Sequence, residues 1–250
     1  MVSVFRLKGR GYTIGNVFLV SLYLFSGIVF LFCFNFLPEV IFQLTQKAEP
    51  YIKVPAVAMC SLFVLIFGFS VITAIKYGAD RFFFRRAQNK GASARDFFYY
   101  FKPLENIRLL CFALRLLLIK LLMAAVCFFP SLLCGFILVR LWQSSWSVKV
   151  SAVLVLSFAA FFINGIVFFL NFSSLLFLAP YHYIEGTYLN FSNIISMSAF
   201  TMEKKRHLLQ KLRLSFVGWF ALCFLIVPLG YVYAYYKQTL CVAADEFMNK

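Results

Sequence analysis

Few residues in this 250-residue chain are spaced to do chemistry. It has two histidines. His182 and Glu185 would share a helix face and could hold a metal together, but a zinc site needs a third and fourth ligand and none is near. His207 sits among Lys204, Lys205, Arg206 and Lys211, which repel cations. The seven cysteines contain no C-x-x-C pair, and all but Cys241 lie in apolar runs, where a lone thiol behaves as a small hydrophobe. No Walker loop, G-x-G-x-x-G, H-E-x-x-H or G-x-S-x-G string occurs. The sequence therefore assigns no catalytic, cofactor-binding or metal-binding residue, and the chain reads as non-enzymatic.

Two constellations remain. Ser157, Asn164 and Asn171 recur every seven residues and share one helix face. In lipid such groups hydrogen-bond across helices, contributing about 0.5 to 2 kcal/mol each, so packing is the first reading. A substrate path is the alternative, favoured slightly by Pro130 with Gly135 and Pro228 with Gly230, since broken helices can frame midplane sites. The second constellation is cationic. Arg81, Arg85 and Arg86 accompany Phe82, Phe83 and Phe84, while Lys204, Lys205 and Arg206 lie among apolar residues at helical spacing. Both clusters suit anionic headgroups or a membrane-protein partner.

The elements that position these residues follow from composition. Hydrophobic residues make up 63% and charged residues 13%, against roughly 45 to 50% and about 25% in soluble domains. With 34 Phe, the chain has more apolar side chain than a soluble globule of this size can hide. The bilayer is its solvent. The net charge of +15 is segregated to the flanks of apolar runs, which points to anionic lipid and away from nucleic acid.

Five stretches lack charge for long enough to cover a hydrocarbon core of about 20 residues. The expected spans are 14–37, 54–75, 121–140, 150–178 and 214–236. They are too long and uniformly apolar for barrel strands, so the fold class is all-α, a polytopic helical bundle. The stretches 104–139 and 150–184 each leave room for a sixth span. A single interfacial helix leading into span three, and one long helix running toward Pro180, are the preferred readings.

Lys and Arg set orientation. Eighteen of the 24 fall before span one, between spans two and three, and between spans four and five. The expectation is a multi-pass protein of a bacterial cytoplasmic membrane, with its N-terminus cytoplasmic and C-terminus outside. Tyr231, Tyr233, Tyr235 and Tyr236 would then mark the outer boundary. The run after Arg10 is too long for a cleaved leader and reads as a retained span. No acidic residue lies inside any expected span, which argues against a carboxylate-based proton pump.

The expected cytoplasmic segments are 77–120 and 181–213, within one membrane domain of 1–250. Asn89, Lys90 and Gly91 signal a turn, and Ser93 followed by Asp96 signals a helix start. Short basic helices with large aromatic faces are expected to lie on the membrane and not to build a separate soluble domain.

The string from Ile195 through Trp219 carries Ser198, Met202, the basic cluster, then Leu214, Ser215, Phe216 and Gly218. It resembles the bacterial integral-membrane family catalogued as domain of unknown function 975. The segment from Arg81 to Phe101 is similar to that family's basic, aromatic cytoplasmic segment, and Tyr235 to Phe247 to its ending. Glu203 and Lys204 stand where Lys-Gly is usual in the family. The resemblance implies a polytopic membrane protein and supplies no catalytic residue. The function expected from the whole is a membrane-embedded interaction or organising component, alone or as a homo-oligomer; the alternative is a small permease or accessory subunit of a transport or export system.

Overall fold

The computed structural model describes residues 5, 17–44, 50–142, 148–186, 189–223 and 229–249. Long uncharged runs become helices because backbone polar groups in lipid must be satisfied within their own segment. The elements are α1 (Val17–Leu44), α2 (Pro50–Ala87), α3 (Ala94–Phe97), a 3-10 turn (Tyr99–Phe101), α4 (Pro103–Trp142), α5 (Val148–Leu175), α6 (Ala179–Glu185), α7 (Phe191–Met202), α8 (Arg206–Leu214), α9 (Val217–Cys223) and α10 (Leu229–Asn249). No strand occurs among the described residues. Among the described residues, four stretches are long and apolar enough to cross a bilayer: Phe25–Gln43, Val54–Ala87, Pro103–Arg140 and Ala152–Glu185. The chain is an all-α helical membrane protein.

The structure departs from the sequence reading at the fifth expected span. Helix α9 ends at Cys223 and α10 begins at Leu229, with 224–228, including Pro228, outside the described residues. A straight helix would hold Phe216 and Tyr235 about 28 Å apart. Their ring centroids are 5.1 Å apart. Phe220 meets Tyr236 at 5.4 Å, and Trp219 meets Tyr235 at 6.4 Å. Helices α9 and α10 therefore lie side by side, and Tyr235 packs on Phe216. Composition explains the difference. Helix α10 carries Lys237, Gln238, Thr239, Asp245 and Glu246, too polar a set for hydrocarbon, while Ala234, Cys241, Ala243 and Ala244 are buried and let it pack closely.

The chain divides into two compact units, Met1–Cys111 with Lys211–Lys250, and Phe112–Gln210, where one domain was expected. In the first, α10 packs on α1 and α2, and α3 and the 3-10 turn pack on α2. Gly78 makes the α3 contact close, since a Cβ there would run into the Phe97 carbonyl oxygen. Phe83, Phe84, Phe97 and Tyr100 are at most 1% exposed. The aromatics expected to lie on the membrane thus form a protein core. Three consecutive Phe on a helix subtend about 200°, so once α2 continues past its apolar stretch some must turn inward. Phe98 and Phe101 remain exposed.

In the second unit, Phe112 stacks on Tyr183 with centroids 4.3 Å apart and meets Phe191 edge-on at 5.6 Å. Leu176, Leu178, Tyr181, Ile184, Ile194 and Met202 complete this core. Helix α4 runs unbroken from Pro103 to Trp142, so the interfacial stretch and the span are one helix. Most side chains along the apolar parts of α4 and α5 point outward, as lipid-facing residues do.

Candidate functional site

The first site lies at the charged end of α2. That helix ends in a Schellman motif: Lys90 N–H donates to the Arg85 carbonyl at 3.0 Å and Asn89 N–H to the Arg86 carbonyl at 3.1 Å. Asn89 holds φ 56°, a left-handed conformation that Asn tolerates better than most residues. The cap turns the chain so that Ser93 opens α3. There the Ser93 N–H donates to Asp96 Oδ2 at 3.0 Å, half of the reciprocal capping box.

Asp96 is the hub of the cationic segment. Arg85 Nη1 donates to its Oδ1, and Arg81 Nε lies 3.6 Å from the same oxygen. The Arg81 guanidinium also sits 3.7 Å from the centroid of the Tyr99 ring, with the Lys102 ammonium 5.4 Å from that ring. Arg81 is 9% exposed. Of the three arginines expected to meet headgroups, Arg81 is thus inside the protein and Arg85 is drawn onto a carboxylate, while Arg86 is half-buried.

One turn deeper, Lys237 Nζ of α10 donates to Asp80 Oδ1 at 2.7 Å. Both side chains are largely buried, at 17% and 6% exposure. The adjacent Gln238 is fully buried, and neither its amide nitrogen nor its oxygen finds a partner among the described residues. Asp80 lies just past the expected end of span two, on the same helix, so sequence reading left it in a cytoplasmic segment without a role. The available signal was its setting, a lone acid between Ala79 and Arg81 on a helix with nothing to end it before Asn89.

The second unit contains the other expected residues. Gln210 Nε2 donates to Asn171 Oδ1 at 2.6 Å, and Ser198 Oγ donates to the Leu175 carbonyl at 2.7 Å. Asn164 is exposed and Ser157 half-exposed, and among the described residues Asn171 is the member of the stripe that meets a polar side chain. Gly165, next to Asn164, lies against α4, where a Cβ would stand 2.9 Å from the Cys127 carbonyl oxygen. Between α7 and α8, Lys204 and His207 are exposed, Lys205 and Arg206 are half-exposed, and Phe200 beside them is 83% exposed. Helix α8 buries Leu209 and Leu212 and exposes Lys211 and Leu214.

Chemically, these arrangements hold charge in place. Asp80 and Asp96 are each engaged by cations, which leaves neither placed as a general base. His182 is buried among Ala179, Tyr181 and Tyr183, and no three metal-ligating side chains converge among the described residues. The exposed Lys204 corner, by contrast, is open to an anion.

No protein-family model, no curated protein and no solved structure matches this chain.

Proposed function

We propose that the protein is a non-enzymatic component of a bacterial cytoplasmic membrane that binds anionic headgroups at its inner face and so organises a membrane-protein partner or further copies of itself. The distribution of Lys and Arg supports a cytoplasmic N-terminus. The observation that carries the reading is the α7–α8 corner. Lys204 stands exposed near Phe200 and Met197, a cation next to exposed apolar side chains, which is the combination that seats at the boundary of headgroup and acyl chain. The Asp96-bound arginines play a different part, since their charge is spent within the protein. The resemblance to the domain of unknown function 975 family is part of the proposal, resting on the residues from Ile195 to Trp219.

The hydrogen bond between Gln210 and Asn171 supports packing over transport for the polar stripe. A residue already committed to a neighbouring side chain is poorly placed to contact a moving solute.

Lipid retention tests the proposal. The full-length protein in detergent is mixed with phosphatidylglycerol or phosphatidylcholine and weighed by native mass spectrometry. Each surface cation contributes about 1 kcal/mol toward an anionic bilayer. Lys204→Gln with Arg206→Gln and Lys211→Gln should therefore reduce phosphatidylglycerol retention at least tenfold and leave phosphatidylcholine unchanged. Equal retention of both lipids by the parent protein would remove the headgroup reading.

A further inference from the structure

We infer that the chain crosses the membrane four times and that α10 ends on the same side as the N-terminal segment. Four observations carry this, and the first three lie within the first compact unit.

Phe5 packs edge-on against Phe247, with ring centroids 5.9 Å apart and the two side chains 0% and 3% exposed. Residues in contact cannot stand on opposite faces of a hydrocarbon layer about 30 Å thick. The Lys237–Asp80 pair then fixes the level of α10, because Asp80 directly precedes Arg81 at the basic end of α2. That end carries the largest cluster of cations in the chain and is the cytoplasmic end by charge.

The third observation is length. Helix α9 has seven residues and rises about 10 Å, a third of the hydrocarbon core. Phe216 before it lies against Tyr235 of α10, so the polypeptide has returned to its starting level by residue 235. Among the described residues, α9 is thus too short to cross, and α10 lies back beside it.

The fourth is charge over the whole chain. With α10 on the inner side, Lys237 and Lys250 join the cytoplasmic cations, and Lys47, Lys53, Arg140 and Lys149 alone remain outside. The asymmetry is sharper than five spans allow. Crossings by α1, α2, α4 and α5 also leave the α7–α8 corner cytoplasmic, as five spans do, so the lipid-binding reading stands or falls separately.

Reporter fusions decide between the two topologies. Green fluorescent protein and alkaline phosphatase are fused in turn to the C-terminus of the full chain, with fusions at Gly91 and Glu49 as inner and outer references. The C-terminal fusions should match Gly91, fluorescent and without phosphatase activity. Phosphatase activity at the level of the Glu49 fusion overturns the inference. A variant without a fusion partner checks the same point: Asn249→Cys, with the seven native cysteines replaced, should resist a membrane-impermeant maleimide in intact cells and react after permeabilisation. Labelling before permeabilisation overturns it as well.

Discussion

Lys237 and Asp80 stand 157 positions apart in the sequence, and their side chains meet at 2.7 Å in a largely buried ion pair. Removing Asp80 leaves the Lys237 charge without its carboxylate, which costs about 3 to 5 kcal/mol; removing Lys237 leaves Asp80 with Lys76 nearby and costs less, whereas exchanging both keeps the pair. Asp80→Lys and Lys237→Asp should each cut accumulation of folded protein several-fold, read by fluorescence-detected size exclusion. The double exchange should recover most of it. Failure of the double variant to exceed either single one would mean the pair is incidental to folding.

Gly78 offers a test of the packing between α2 and α3. A methyl group there meets the Phe97 carbonyl oxygen, part of the backbone, which cannot rotate away as a side chain would. Gly78→Ala should lower stability by roughly 1 to 3 kcal/mol, whereas Gly91→Ala, with open space around it, should not. Thermal melting of both variants in detergent compares them directly, and equal midpoints would contradict the close approach.

Asp96 holds two arginines and the Ser93 amide at once. Asp96→Asn keeps the size and loses the charge, and should cost about 1.5 to 3 kcal/mol, the range for hydrogen bonds to charged groups. Because Arg81 and Arg85 are then released, Asp96→Asn should also bind more phosphatidylglycerol than the parent. A variant that melts lower without gaining lipid would show that the arginines stay inside by burial alone.

Asn171 and Gln210 form a side-chain pair that a double-mutant cycle can isolate. Polar pairs between helices in membrane proteins average about 0.6 kcal/mol of coupling. Replacing each by Leu, singly and together, should return a coupling near that value from unfolding in detergent. Additive losses would separate the two residues energetically and reopen the transport reading of the stripe.

The helices and the four long apolar stretches were legible in the gaps between charges, because hydrocarbon thickness sets a length that any charged residue interrupts. The Asn89 turn and the Ser93 start were legible too, since both rest on local hydrogen bonds and local backbone geometry. What stayed hidden was long-range. Nothing near Phe82 or Phe97 in the sequence distinguishes an aromatic that faces lipid from one buried in protein. The 214–236 stretch hides its partners for a related reason: between Arg213 and Lys237 it is free of charge, so by length it qualifies as a span, and only the contact of Phe216 with Tyr235 shows that α9 and α10 lie side by side. Asp80 and Lys237 each looked solitary because neither can name the other.

The first compact unit is discontinuous, Met1–Cys111 completed by Lys211–Lys250, and this has a consequence for synthesis. At about 5 to 20 residues per second, a ribosome needs roughly 8 to 30 seconds to travel from Asp80 to Lys237. Within that interval the second unit is made, while Asp80 waits without Lys237. The unit closes only when the last helix leaves the ribosome. A prematurely terminated chain keeps Asp80 without Lys237, and the parts of α1 and α2 that α10 packs on stay uncovered.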